Sequence, residues 1–152
     1  MKVSIGSDHR GLEQRKIIAA AIEAAGHEAD DRGTNSTESV DYPEIAFDVA
    51  AHVASGNSQR GILLCGTGIG MSIAANKVDG IRAAVCWDLQ SALLSRQHND
   101  ANVLSLSGES FSNDEYQQII TQWLSCEFDG GRHARRVDKI MQIEQGTLGT
   151  TS

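Results

Sequence analysis

Cys65 closes the apolar run Ile62-Leu63-Leu64 and is followed by three glycines in five residues, in the string CGTGIGMS. Gly66, Gly68 and Gly70 let backbone N–H groups turn toward a ligand without a Cβ in the way. A helical pattern follows, and the start of a helix adds the positive end of its dipole. Such a nest can hold a phosphate, or an oxyanion that develops only during a reaction. The same field favours the thiolate of Cys65, so a base or nucleophile would face a bound anion, with the Thr67 hydroxyl beside it. A tight strand-to-helix turn over a buried thiol is the competing explanation, and glycine spacing alone does not separate the two.

Other candidates are less specific. In SDHRG, Asp8 could bind a sugar hydroxyl or cap the helix that follows, and His9 could meet a phosphate or be merely exposed. In RQHND, His98 and Asn99 follow a helical stretch, where a histidine also serves as a partner for the helix dipole. GGRHARRVDK is the one basic cluster. Arg132 and Arg136 are four apart, hence on one helix face, and could grip a phosphate with forked donors or form a solvated helix start. Cys86 and Cys126 read as packing residues, and His27 and His52 as surface residues without a role.

Positioning these groups falls to an alternating series of elements. KVSIG, GILLC, GIRAAVCW and ANVLSLSG read as strands. GILLC and GIRAAVCW are apolar enough to be covered on both faces. HEADD is a polar strand candidate for a sheet edge. Helices are expected from Leu12 to Ala25, over DYPEIAFDVAAHVASG with Pro43 in its first turn, over DLQSALLSRQH, NDEYQQIITQWLSCEF and RHARRVDKIMQIEQ. Five strands alternating with helices predict an α/β fold, a three-layer αβα sandwich on a five-stranded parallel sheet. Ligands of such folds bind at the carboxyl ends of strands, near a switch in strand order. GSDHRG, CGTGIGMS and RQHND are all expected there.

The 152 residues fit a single domain, residues 1–152, with a flexible tail from about residue 145. A formal charge of −7 argues against nucleic-acid or membrane-surface binding, and requires that an anionic substrate find a local basic cluster. No leader-like apolar stretch follows Lys2, and no run approaches a membrane span. Three cysteines without metal-ligand or C-x-x-C spacing suggest reduced thiols in the cytoplasm.

Taken together, SDHRG, DYPE, CGTGIGMSIAANKVDGIRA, SRQHNDANVL and GGRHARRV closely resemble the type B ribose-5-phosphate isomerases, grouped with galactose- and allose-6-phosphate isomerases. The likeness runs in order from about residue 2 to residue 144. It implies a Rossmann-like subunit that pairs into homodimers, with active sites shared between chains and further pairing into tetramers left open. It implies interconversion of an aldose phosphate and a ketose phosphate with no metal or other cofactor. By the same resemblance Cys65 matches the catalytic base, Thr67 a residue assisting beside it, and Gly66, Gly68 and Gly70 the loop that holds the enediolate oxygens. His98 matches the residue that opens the sugar ring. Asp8, Tyr42 and Asn99 match substrate contacts, and His9, Arg132 and Arg136 the phosphate grip.

One departure bears on the substrate. Many relatives carry an arginine shortly after the fifth strand that reaches the neighbouring subunit's phosphate, whereas this turn reads SLSGESF with Glu109 near that position. Arg10 stands where relatives often have a small residue, and is placed to compensate. A four- or six-carbon sugar phosphate, or an unphosphorylated sugar, is therefore an alternative within the family. Two other classes fit less well. A cysteine-dependent phosphatase needs an arginine six positions past its cysteine, where this chain has Met71. A nucleotide-binding α/β module without turnover would use GTGIG alone and has no need of Cys65, His98 and the arginine pair together.

Overall fold

A computed structural model describes residues 1–150. Strands β1 (Lys2–Ser7), β2 (Glu28–Asp31), β3 (Arg60–Cys65), β4 (Ala83–Val85) and β5 (Val103–Ser107) alternate with six helices. These are α1 (Leu12–Ala24), α2 (Tyr42–Ala54), α3 (Ile69–Ala75), α4 (Leu89–Asn99), α5 (Asn113–Ser125) and α6 (Arg132–Glu144). All five strands join one parallel sheet in the order β2-β1-β3-β5-β4.

Side-chain alternation along the strands builds the two layers of core. Ile62 and Leu64 of β3, with Leu104 and Leu106 of β5, face α1, α4 and α5, where Ile18, Ile22, Ala92, Tyr116, Ile120 and Trp123 complete one cluster. Leu63, Cys65 and Val103 face α2 and α3 and pack with Val49, Ala50, Met71 and Ala75. Gly6 and Gly61 keep this second face thin: a Cβ on Gly6 would lie 2.7 Å from Ile45 and one on Gly61 2.9 Å from Val49, so α2 beds directly on the sheet.

Most expected elements are present, HEADD as edge strand β2 and Pro43 in the first turn of α2 included. β4 differs. It is three residues long, half-buried, and lies at the other edge of the sheet, paired with β5 alone. Its apolar run continues past the ladder to Cys86, which is buried, before Asp88 caps α4. Of the tail expected from residue 145, Gly146 to Thr150 follow α6 in hydrogen-bonded turns, and residues 151–152 fall outside the described residues.

Candidate functional site

The chain reverses direction across the sheet between β1 and β3, and two of the three expected loops leave the sheet at that point. Asp8 N–H donates to the Leu64 carbonyl at 3.2 Å, so the loop after β1 is stitched to the end of β3. Asp8 Oδ1 accepts the N–H of Arg10 at 2.9 Å and caps the 3-10 turn His9–Gly11. The Asp8 carboxylate is otherwise buried, 5% exposed, beside the glycine loop. His9 Nδ1 accepts the N–H of Val40 at 3.4 Å, which leaves Nε2 as its other polar edge.

Cys65 ends β3 with its thiol on the α2/α3 face, 7% exposed. Gly68 N–H donates to Cys65 Sγ at 3.1 Å, a donor that stabilises negative charge on sulfur. Gly68 can do this because it sits at φ +80° as the N-cap of α3. A Cβ there would be strained and would lie 2.9 Å from the Leu106 backbone. Thr67 Oγ1 accepts the N–H of Ile69 at 3.2 Å, holding the exposed hydroxyl over the turn. Gly70 lies in the first turn of α3 with the Tyr42 ring against it, 2.6 Å from where its Cβ would be. Tyr42, the first residue of α2, thereby covers one side of the loop.

Two groups missed in the sequence fix the loop from below. Ser107 Oγ donates to the Gly66 carbonyl at 2.7 Å and Ser105 Oγ to the Gly68 carbonyl at 2.6 Å. Both loop carbonyls are thus turned into the sheet. In the first turn of α3 the Ile69 N–H is taken by Thr67 Oγ1, and the N–H groups of Gly70 and Met71 have no partner within the helix. The signal was present: SLS places polar side chains at period two in a strand that is buried on both faces. Beside Thr67 a cleft of about 320 Å³ opens between Gly66, Ile69, Trp87, Ser110 and Phe111. A larger cavity, about 620 Å³, lies between β4 and α6, away from the thiol.

RQHND is not where it was expected. His98 and Asn99 form the last turn of α4, and a crossover helix runs back against its strands, so its C-terminus returns to the edge where the strands begin. Asn102, three residues past Asn99, offers its carbonyl to Gly61 N–H at the start of β3. His98 and Cys65 of one chain therefore lie at opposite ends of the sheet, separated by roughly the 17–20 Å length of a six-residue strand. Arg132 and Arg136 share the His98 end, on the exposed side of α6. There the structure adds His133, whose ring stacks on His98 at 4.2 Å with 7° between planes. Asp129 is nearby, with ligand atoms of all three residues within 4.8 Å of one another. Burial pushes the His133 pKa down, and the charges of His98, Arg132 and Arg136 add to this while Asp129 opposes it.

The expected residues thus form two clusters. Cys65, Gly66, Thr67, Gly68, Gly70, Asp8, His9 and Tyr42 gather at the carboxyl end of the sheet, and His98, Asn99, Arg132 and Arg136 at the other. Among the described residues no helix is long and apolar enough to cross a membrane.

The chain matches the Ribose/Galactose Isomerase family model over residues 3–140. It is 47% identical over 144 residues to ribose-5-phosphate isomerase B of Escherichia coli, covering 95% of this chain and 97% of that protein. It is also 40% identical over 145 residues to a D-erythrulose-4-phosphate isomerase of Pectobacterium atrosepticum, covering 95% of each. Among solved structures, ribose-5-phosphate isomerase B of Clostridium thermocellum superposes with a TM-score of 0.93 at 51% identity, over 96% of this chain and 99% of that one.

Proposed function

Because the chain belongs to the ribose/galactose isomerase family, we propose that it is an aldose–ketose isomerase interconverting ribose 5-phosphate and ribulose 5-phosphate. The observation that carries the reading is the pairing of the Cys65 thiol with a glycine turn whose carbonyls are tied back into β5. Cys65 removes the proton from C2 of the open aldose and returns it to C1 of the cis-enediolate. A single base serves because the two carbons are adjacent and the planar intermediate is attacked on one face. The N–H groups of the glycine turn that are not engaged by Cys65 or Thr67 stabilise oxygen as it gains charge. Asp8, Tyr42 and Asn99 hold hydroxyls, with Thr67 beside the base. Ring opening falls to His98, and the phosphate to His9, Arg132 and Arg136.

Since the two clusters lie at opposite ends of one chain, His98, Asn99, Arg132 and Arg136 serve the Cys65 of a second copy in a homodimer. Ile69 and Ile73 on α3 and Phe47 on α2, each more than half exposed around the glycine loop, offer the apolar surface that such a copy would cover. The free thiols suit a cytoplasmic enzyme. The test is turnover of ribose 5-phosphate by the intact protein and by Cys65→Ala. Activity in the former and a loss of about a thousandfold or more in the latter is expected. A folded but inactive wild-type protein would favour the shorter substrate, as suggested by Glu109 and by the similarity to an erythrulose-phosphate enzyme, with erythrulose 4-phosphate as the next assay.

A further inference from the structure

Arg10 and Glu109 form one unit at the rim of the glycine loop. Glu109 Oε1 accepts both Arg10 Nε at 2.7 Å and Arg10 Nη2 at 2.6 Å. The remaining nitrogen, Nη1, has no hydrogen-bond partner among the described residues. It lies 2.7 Å from the position a Cβ on Gly66 would take, so the guanidinium rests against the loop just after Cys65 because Gly66 has no side chain. Its neighbour His9, in the same turn, accepts the Val40 N–H through Nδ1 at 3.4 Å and has no hydrogen-bond partner at Nε2 among the described residues.

Both ends of the pair are fixed. On one side Asp8 locks the turn through the Arg10 N–H. On the other, Glu109 N–H donates to Ser107 Oγ at 3.1 Å, and the buried Tyr116 hydroxyl donates to the Ser107 carbonyl at 2.6 Å. A lone carboxylate here would repel an incoming anion. Paired, its charge is offset, and the arginine edge that remains carries two N–H donors at a set angle.

We propose that Arg10 is a phosphate ligand of this site and that Glu109 is a positioning residue that aims it. The assignment rests on the reading of the substrate as a sugar phosphate and names a contact made within the chain that bears Cys65.

Binding of inorganic phosphate, measured by titration calorimetry at low salt, tests this without requiring turnover. Arg10→Ala is expected to weaken phosphate binding about tenfold, as for the loss of a charge-assisted contact. Glu109→Ala is expected to weaken it several-fold even though it removes a negative charge, and Glu109→Gln, which keeps an acceptor oxygen, to restore part of the loss. The double variant should be no weaker than Arg10→Ala alone, because Glu109 acts through Arg10. Phosphate binding that is absent in the wild type, unchanged in Arg10→Ala, or tighter or unchanged in Glu109→Ala overturns the proposal. A protein that binds phosphate through Arg10 yet fails to isomerise ribose 5-phosphate overturns the choice of ribose 5-phosphate as substrate alone.

Discussion

At the scale of single residues, the three thiols are chemically distinct although all are free. Burial pushes the Cys86 thiol up to about 11, against smaller opposing hydrogen bonds from Ser95 and Ser91. Burial also pushes Cys126 up, opposed by Arg96 and Arg60. Both stay protonated at neutral pH, and the thiol is a poor nucleophile. Among the described residues, Cys65 is the one cysteine whose sulfur accepts a backbone N–H. Iodoacetamide at about pH 7.5 should therefore label Cys65 first, remove activity in step with that label, and be slowed by ribose 5-phosphate. Peptide mapping reads the site, and equal labelling of Cys86 or Cys126 would sink the distinction.

At the scale of elements, α6 docks on α4 through the stacked His98 and His133 rings, and this contact is sensitive to acid. His133 is buried on α6, and the groups facing it are His98 from α4, Arg132 and Arg136 from its own helix, and Asp129 before it. Its folded pKa lies below the ordinary 6.5, so the neutral ring is the form that packs. Above that value neither state binds the proton and the contact is at full strength. As pH falls from 6.5 through the lower folded value, the unfolded chain gains a proton that the folded chain resists, and stability is lost. Amide exchange in α6, corrected for its intrinsic rate, should be faster at about pH 5.5 than at about pH 7.5. His133→Gln should abolish that difference, and an unchanged difference would remove His133 as the cause. The elements themselves were legible because the α1, α2 and α5 stripes and the GILLC and NVL runs each bury the face that their periodicity predicts. β4 misled because composition does not distinguish an edge strand running into a buried turn from a central strand.

At the scale of the whole molecule, what the sequence could not supply is direction. The string CGTGIGMS was readable because each of its parts acts locally: a strand end, positive φ at Gly68, a helix start. RQHND was misplaced because the end of the sheet that it reaches depends on the return path of α4 and not on its own residues. The Ser105 and Ser107 contacts were hidden for the same reason, since strand order alone brings β5 beside β3. That separation of the two clusters has a consequence for subunits carrying complementary lesions. In a two-fold dimer with shared sites, a chain bearing Cys65→Ala and a chain bearing His98→Asn form one site with both lesions and one site with neither. Each homodimer has only damaged sites. Subunits unfolded together and refolded at equal concentration give mixed dimers as about half of the population, each with one intact site, and so recover about a quarter of wild-type turnover. Mixing without exchange of subunits should recover nothing beyond the two parents. If co-refolding also gives only the sum of the parents, while both variants remain folded and the chains exchange, then His98 and Cys65 do not act across an interface, and the opposite ends of this sheet belong to different tasks.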